Sequence, residues 1–219
     1  MEQRKTHWET VYRQKRPIEV SWYQPHLNVS LRLLAGAGLQ PDSRVIDVGG
    51  GASTLVDDLL EQGVRNMSVL DISGQALEAS KARLGERAKH VTWIEGDITQ
   101  TILPTASFDM WHDRAVFHFL TDSEDRRRYI AAVRNALKPG RHAVLATFSL
   151  QGPPRCSGLE VIRYSPETLQ AEFGEGFQLI KAVEEAHKTP FNTVQQFVYC
   201  HFQNIPAPAR GSRPKFFTS

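Results

Sequence analysis

The stretch Arg44-Val45-Ile46-Asp47-Val48-Gly49-Gly50-Gly51-Ala52-Ser53-Thr54 decides how the rest of the chain is read. Val45, Ile46 and Val48 form a short β-branched run bounded upstream by Pro41, the pattern of a strand buried in a parallel sheet. Three glycines follow, and Leu55, Val56, Leu59 and Leu60 then recur at helical spacing up to Gly63, a C-terminal stop. Strand, glycine turn and helix in that order form the setting of a nucleotide-binding loop. Glycine lets the main chain turn sharply and lets a ligand lie against bare backbone. The first N–H groups of the helix receive the ligand's polar end.

Working outward, the ligand is narrowed by what surrounds the loop. A dinucleotide fingerprint needs Gly or Ala where Thr54 stands, which weighs against nicotinamide or flavin. Asp47, inside the strand end, suits an ammonium group better than a pyrophosphate. Met67–Asp71 reads as a second strand, and Asp71 lies roughly 20 residues past the glycines, where a carboxylate accepts hydrogen bonds from ribose hydroxyls. Ser73 is a good N-cap for a helix carrying Ala76, Leu77, Ser80 and Leu84, with Gly85 as its end. A third strand, Val91–Ile94, leads into Glu95-Gly96-Asp97-Ile98, where Asp97 can accept from an adenine amino group while Ile98 packs on the ring. The structural alternative for Asp97 is a turn residue beside Gly96.

Phe108–His112 is read as the fourth strand, with Asp113-Arg114-Ala115 at its C-terminal end. Ligands of open α/β sheets bind at the carboxyl ends of strands, which is where His112, Asp113, Arg114 and His118 fall. His112 or Asp113 could take a proton and Arg114 could hold an acidic substrate group; an Asp–Arg pair with core histidines is the structural alternative. Asp122-Ser123 caps a helix whose inner face is Tyr129, Ala132, Val133, Ala136 and Leu137, and whose outer Arg126, Arg127 and Arg128 read as solvated. Ala143–Phe148 is strand five, and the Gly- and Pro-rich Gln151–Arg163 reads as a long loop over the strand ends, with Cys156 in it. Ser165-Pro166 starts a short helix, and Phe177–Val183 and Val194–Phe202 are two closing strands.

Upstream of the loop, Trp8 and Tyr12 share one helical face, and Ser21-Trp22-Tyr23-Gln24 forms a second aromatic group before Pro25. Leu27, Leu31 and Leu34 mark a helix ending near Gly36–Gly38. These aromatics are either core anchors of an N-terminal lid or the wall of a pocket for a cationic group.

Composition sets bounds. The chain has 219 residues, 41% apolar and 23% charged, ordinary for one soluble α/β domain. A formal net charge of +2 signals neither nucleic acid nor membrane. Two distant cysteines, Cys156 and Cys200, suit a reduced compartment, and no run approaches membrane-spanning length or resembles a signal peptide. The cytoplasm is the expected location. Residues 205–219, basic and proline-rich, are expected to be a disordered tail. No H-E-x-x-H or C-x-x-C pattern occurs, so no metal is expected.

VIDVGGGAS, VLDIS, EGDIT and FDMWHDRAVFHFL together resemble the successive motifs of class I S-adenosylmethionine (SAM)-dependent methyltransferases, over about residues 44–150. WHDRAVFHFL is similar to the segment after strand four in thiopurine-like and protein-lysine methyltransferases, and HWETVY with SWYQ resembles a bacterial methyltransferase-like branch. Pro139-Gly140-Arg141 departs from the pattern before strand five. The resemblance implies an α/β, Rossmann-like sheet of seven strands, order 3-2-1-4-5-7-6 with strand seven antiparallel and helices on both faces. It also implies an N-terminal helical lid over residues 1–43 and a core over 44–204. The cofactor is then SAM, with S-adenosyl-L-homocysteine (SAH) as product. Asp47, Gly49, Gly50, Gly51, Ser53, Asp71, Ile72, Asp97, Ile98 and His112 are the cofactor-binding candidates. Catalytic candidates are His112, Asp113, His118 and Tyr12, and substrate-binding candidates are Trp8, Trp22, Tyr23, Arg114 and Cys156. The implied acceptor is a small molecule, with a protein lysine as the alternative. A nicotinamide oxidoreductase, opposed by Thr54 and the lack of a Tyr-x-x-x-Lys pair, and a non-catalytic SAM-binding module are the readings from other classes.

Overall fold

A computed structural model describes residues 2–205. Its centre is β1 (Arg44–Val48), which pairs in parallel with β2 (Asn66–Asp71) on one side and β4 (Phe108–Arg114) on the other. β3 (Val91–Glu95) pairs with β2, and β5 (Leu137–Phe148) pairs with β4, all parallel. Two short strands, β6 (Arg155–Cys156) and β7 (Leu159–Glu160), form a separate hairpin. The main sheet closes with the antiparallel pair β8 (Phe177–Lys188) and β9 (Val194–Asn204), giving the order β3-β2-β1-β4-β5-β9-β8. That is the expected seven-stranded order, with β8 and β9 as strands six and seven.

Helices cover both faces. On one lie α2 (Asn28–Gly36), α3 (Leu55–Glu61) and α4 (Gly74–Leu84), packed with Val45, Val69, Met110, Val144 and Tyr199. On the other lie α5 (Ser123–Ala136) and α6 (Pro166–Phe173), packed with Ile46, Val48, Trp111, Leu145 and Phe202. Caps follow the local chemistry: Ser73 Oγ accepts from Ala76 N at 3.2 Å, and Asp122 Oδ1 accepts from Glu124 N at 2.6 Å. Gly85 ends α4 at φ +56, a conformation costly for a side chain.

Several boundaries differ from the sequence reading. β4 runs to Arg114 instead of stopping at His112, because the parallel ladder to β5 continues through Asp113↔Leu145 and Arg114↔Ala146. β5 begins at Leu137, so Pro139-Gly140 lies within the strand's irregular start, beside a register shift, and α5 ends earlier at Ala136. Arg126 is not on a solvated face: it bonds Glu172 at 2.9 Å and donates to the carbonyls of Leu120 and Thr121. The Gln151–Arg163 stretch is braced by the β6–β7 hairpin and by a bridge between Ser149 and Tyr164. At the C-terminus, Asn204 is a buried residue of β9, and Ile205 N donates to Gly176 O at 3.1 Å. The rest of the expected basic tail, residues 206–219, lies outside the described residues. Among the described residues no helix is long and apolar enough to cross a membrane.

Candidate functional site

No residue of α1 (Glu2–Gln14) is fully buried, and the helix is held over the carboxyl ends of the strands by polar anchors and by the partly buried rings of Trp8 and Tyr12. Glu9 accepts from Gly74 N at 2.8 Å and Gln75 N at 3.3 Å, so it caps the start of α4 from another helix. Arg4 bridges Asp97 at 3.3 Å and Asp125 at 3.0 Å, and Lys5 pairs with Glu95. Beneath α1 and the following segment is a cleft with about 1120 Å³ of empty space, counted to its open mouth.

The floor of the cleft is the glycine turn. Gly49 adopts φ +71 and donates its N–H to Leu70 O at 2.7 Å, which ties β1 to β2 where both end. A Cβ at Gly51 would lie 2.6 Å from Asp71 Oδ2 and from the Ala76 methyl, so only glycine fits there. Gly51 N donates to Asp71 Oδ2 and Ser73 N to Asp71 Oδ1, each at 2.9 Å. Burial is the largest influence on Asp71 and pushes its carboxyl up to about 6, against the pull of those two N–H groups. Gly49, Ser53, Asp71 and Ile72 line the cleft; Gly50 and Gly51 shape it from behind.

Asp47 faces the α2 side of the sheet by the alternation of a strand. Its Oδ1 meets His112 Nδ1 at 2.7 Å on the adjacent strand, and His112 Nε2 meets Ser30 Oγ of α2 at 2.8 Å. Asp47 Oδ2 is buried without a hydrogen-bond partner among the described residues, and Asp47 lines the cleft. Asp97 Oδ1 accepts from Thr99 N and Oγ1 at 2.9 and 2.7 Å, and both Asp97 and Ile98 also line it.

The opposite wall is aromatic. The Trp8 ring meets Phe119 at 5.0 Å, Trp22 at 5.7 Å and Tyr12 at 6.3 Å between centroids, and all four rings line the cleft with Tyr23. Thr54 explains its own place in the glycine turn: its hydroxyl donates to Gln24 O at 2.9 Å and so pins the Ser21–Gln24 segment onto the loop. Arg114 sits behind Trp22, donating Nη1 to the Trp22 carbonyl at 2.8 Å and Nε to Tyr199 OH at 2.9 Å. Cys156 completes this side; burial pushes its thiol up to about 11, so it is neutral and weakly nucleophilic at pH 7.

Strand alternation separates the catalytic candidates. Met110, His112 and Arg114 share the α2 face of β4, whereas Trp111 and Asp113 point to α5. Asp113 there accepts from Tyr129 OH at 2.5 Å and from Val116 N and Phe117 N at 2.9 and 3.1 Å. Its carboxyl, pushed up to about 6 chiefly by burial, holds the turn after β4 and does not line the cleft. His118 is also buried away from the cleft, accepting from Phe148 N through Nδ1 at 3.2 Å; burial pushes it down to about 3. Tyr12 does line the cleft, but burial raises its phenol well above the ordinary range, so it is a donor and not a base. The two nitrogens of His112 are both engaged. The sequence reading missed Ser30, Phe119, Arg4 and Glu9. Ser30 carried a signal, a lone hydroxyl on the apolar Leu27–Leu34 stripe; Arg4 and Glu9 carried none.

A seven-stranded sheet of this order, with a glycine turn after the first strand and acids at the ends of the next two, is the arrangement expected of the class I SAM-dependent methyltransferase superfamily. Residues 45–140 match the methyltransferase domain family. The chain is 28% identical over 120 residues to the eEF1A lysine and N-terminal methyltransferase of Mus musculus, covering 54% of this chain and 17% of that protein. It is 27% identical over 140 residues to the Homo sapiens protein of that name, covering 61% and 20%. The chain thus spans about a fifth of the length of these relatives. Among solved structures it is similar to the Burkholderia thailandensis 1,6-didemethyltoxoflavin-N1-methyltransferase, bound to 1,6-didemethyltoxoflavin and SAH (TM-score 0.72, 18% identity, covering 92% and 87%). It is also similar to the N-methyltransferase NodS of Bradyrhizobium japonicum with SAH (TM-score 0.67, 17% identity, covering 90% and 97%). Domain, relatives and fold together support membership of that superfamily, whose cofactor is SAM.

Proposed function

We propose that this chain transfers a methyl group from SAM to a small-molecule acceptor. The observation that supports it best is the floor of the cleft. A partnerless buried carboxylate oxygen on Asp47, a glycine-only turn and the Asp71 carboxylate stand together under an aromatic wall. Asp47 with Gly49–Gly51 would hold the amino-acid end of the cofactor, Asp71 and Ile72 the ribose, and Asp97 with Ile98 the adenine. When bound, SAM supplies a methyl carbon on a positively charged sulfur, which leaves as a neutral thioether and needs no acid.

The chain's own residues therefore position and dehydrate. α1 and the Pro17–Gln24 segment wall the cleft with Trp8, Tyr12 and Trp22 and restrict water. Alignment of this kind contributes roughly 7–11 kcal/mol to rate. His112 and Asp113 are best described as positioning residues, His112 for Asp47 and Asp113 for the turn bearing Val116 and Phe119. The walled shape favours a small molecule over a peptide. The lysine-methyltransferase relatives favour a second reading, a protein lysine as acceptor.

The test is a titration of SAH by calorimetry, then incubation of labelled SAM with lysate separated into small-molecule and protein fractions. SAH binding with label in the small-molecule fraction is expected. Label in protein bands supports the second reading, and failure to bind SAH sinks both.

A further inference from the structure

The acceptor side of the cleft holds a cation and no free base. Arg114 is fixed on three sides: Nε to Tyr199 OH at 2.9 Å, Nη1 to Trp22 O at 2.8 Å, and its guanidinium over the Phe197 ring at 4.4 Å. Its side chain is only 6% exposed, and Nη2 has no hydrogen-bond partner among the described residues. Glu185 Oε2 stands 3.9 Å from Nη2, beyond hydrogen-bond reach. The Glu185 oxygens are already taken by Tyr199 OH at 2.7 Å and Gln24 Nε2 at 3.1 Å. A buried guanidinium nitrogen left unpaired costs free energy, and a ligand oxygen that accepts from it recovers that cost. The same cleft is lined by Trp8, Tyr12, Trp22 and Phe119, whose rings pack edge-on or tilted against one another and so form an aromatic wall on which a flat molecule can lie.

The proton-accepting groups on this side are spoken for. Tyr12 stays a phenol, Cys156 stays a thiol, and both nitrogens of His112 are hydrogen-bonded. An acceptor that must lose a proton to become nucleophilic, such as a lysine ammonium, finds no base here and meets like charge at Arg114. An acceptor already ionised at neutral pH needs no base and is attracted.

Resting on the methyltransferase reading above, we propose that the acceptor is a planar ring compound carrying an anionic oxygen, lying against the aromatic wall of the cleft with Arg114 Nη2 as its counterion. The specificity of the site is then for small ring acids over amines of the same size.

The test uses the full chain loaded with SAH and three probes of one ring size: benzoate, benzyl alcohol and benzylammonium, each titrated by ligand-observed NMR. Benzoate should bind at least tenfold more tightly than benzylammonium and more tightly than benzyl alcohol. Arg114→Gln should weaken benzoate about tenfold and leave benzyl alcohol within twofold. Glu185→Gln, which removes the competing negative charge, should tighten benzoate, and it carries the test if the Arg114 variant does not fold. Equal or tighter binding of benzylammonium, or benzoate affinity indifferent to both substitutions, overturns the proposal. Loss of SAH binding itself, measured on the same sample, overturns the methyltransferase reading instead.

Discussion

His112 Nδ1 lies 2.7 Å from Asp47 Oδ1, across the parallel register that sets the two residues side by side on β4 and β1, and Ser30 closes the far end at 2.8 Å. All three are buried. The chain of two hydrogen bonds holds the Asp47 carboxylate by one oxygen, and its second oxygen has no hydrogen-bond partner among the described residues. Removing an inner partner leaves a buried polar group unsatisfied, a cost of about 1–3 kcal/mol. His112→Leu and Ser30→Ala should therefore weaken SAH roughly 5- to 150-fold, by the same conversion. Neither should weaken 5′-methylthioadenosine, which lacks the amino-acid end. Calorimetry with both ligands checks it, and parallel losses for both would count against the role given to Asp47.

Under the proposed reading, Asp71 should couple cofactor affinity to pH. Burial disfavours the charge and pushes its carboxyl up to about 6, and the charged form is the stronger acceptor for ribose hydroxyls. Affinity for SAH should be constant above about pH 7 and fall about tenfold per unit below 6, as the proton is taken up before ligand can bind. Asp71→Asn should bind at least tenfold more weakly at pH 8 and lose this slope. A variant retaining the slope would assign it to another group.

His118 should govern stability and not chemistry. Its folded value near 3 lies below the unfolded 6.5, so the unfolded chain binds more protons between those values. The stability from neutral, buried His118 is complete above pH 6.5 and drains away as pH falls toward 3. About 2 kcal/mol should be gone by pH 5. His118→Gln should be less stable than the parent at pH 7, and the gap should narrow at pH 5 in urea titrations. A gap that does not change with pH would show that His118 titrates normally.

α1 should be the loosest element at the site, because none of its residues is fully buried and it is held by a few polar anchors and by Trp8 against Trp22 and Phe119. Glu9→Ala removes its cap on α4, worth about 1 kcal/mol. Amide exchange of Glu2–Gln14 and of the first turn of α4 should accelerate, while β1 and β4 keep their protection. Uniform acceleration through the sheet would mean that α1 is part of the cooperative core.

Much of the architecture is written in local pattern. The β-branched run before Gly49, the acid closing Met67–Asp71 and the caps at Ser73, Asp122 and Ser165 each act over a few residues. Their consequences could therefore be read without a partner in view. The sheet order followed from the resemblance those motifs carry. What depended on contacts far apart in the chain was decided only by the tertiary structure. Whether β4 stops at His112 or reaches Arg114 depends on the ladder to β5, and those two extra residues turn Asp113 toward α5 and Arg114 toward the cleft. Ser30, 82 residues from His112, becomes part of the site because α2 packs over β4's neighbour. Charge state was equally illegible: Tyr12, Asp71 and His118 are ordinary titrating groups in a sequence, and it is burial, a property of the folded chain alone, that makes one a permanent donor, one a carboxyl near 6 and one a neutral core ring.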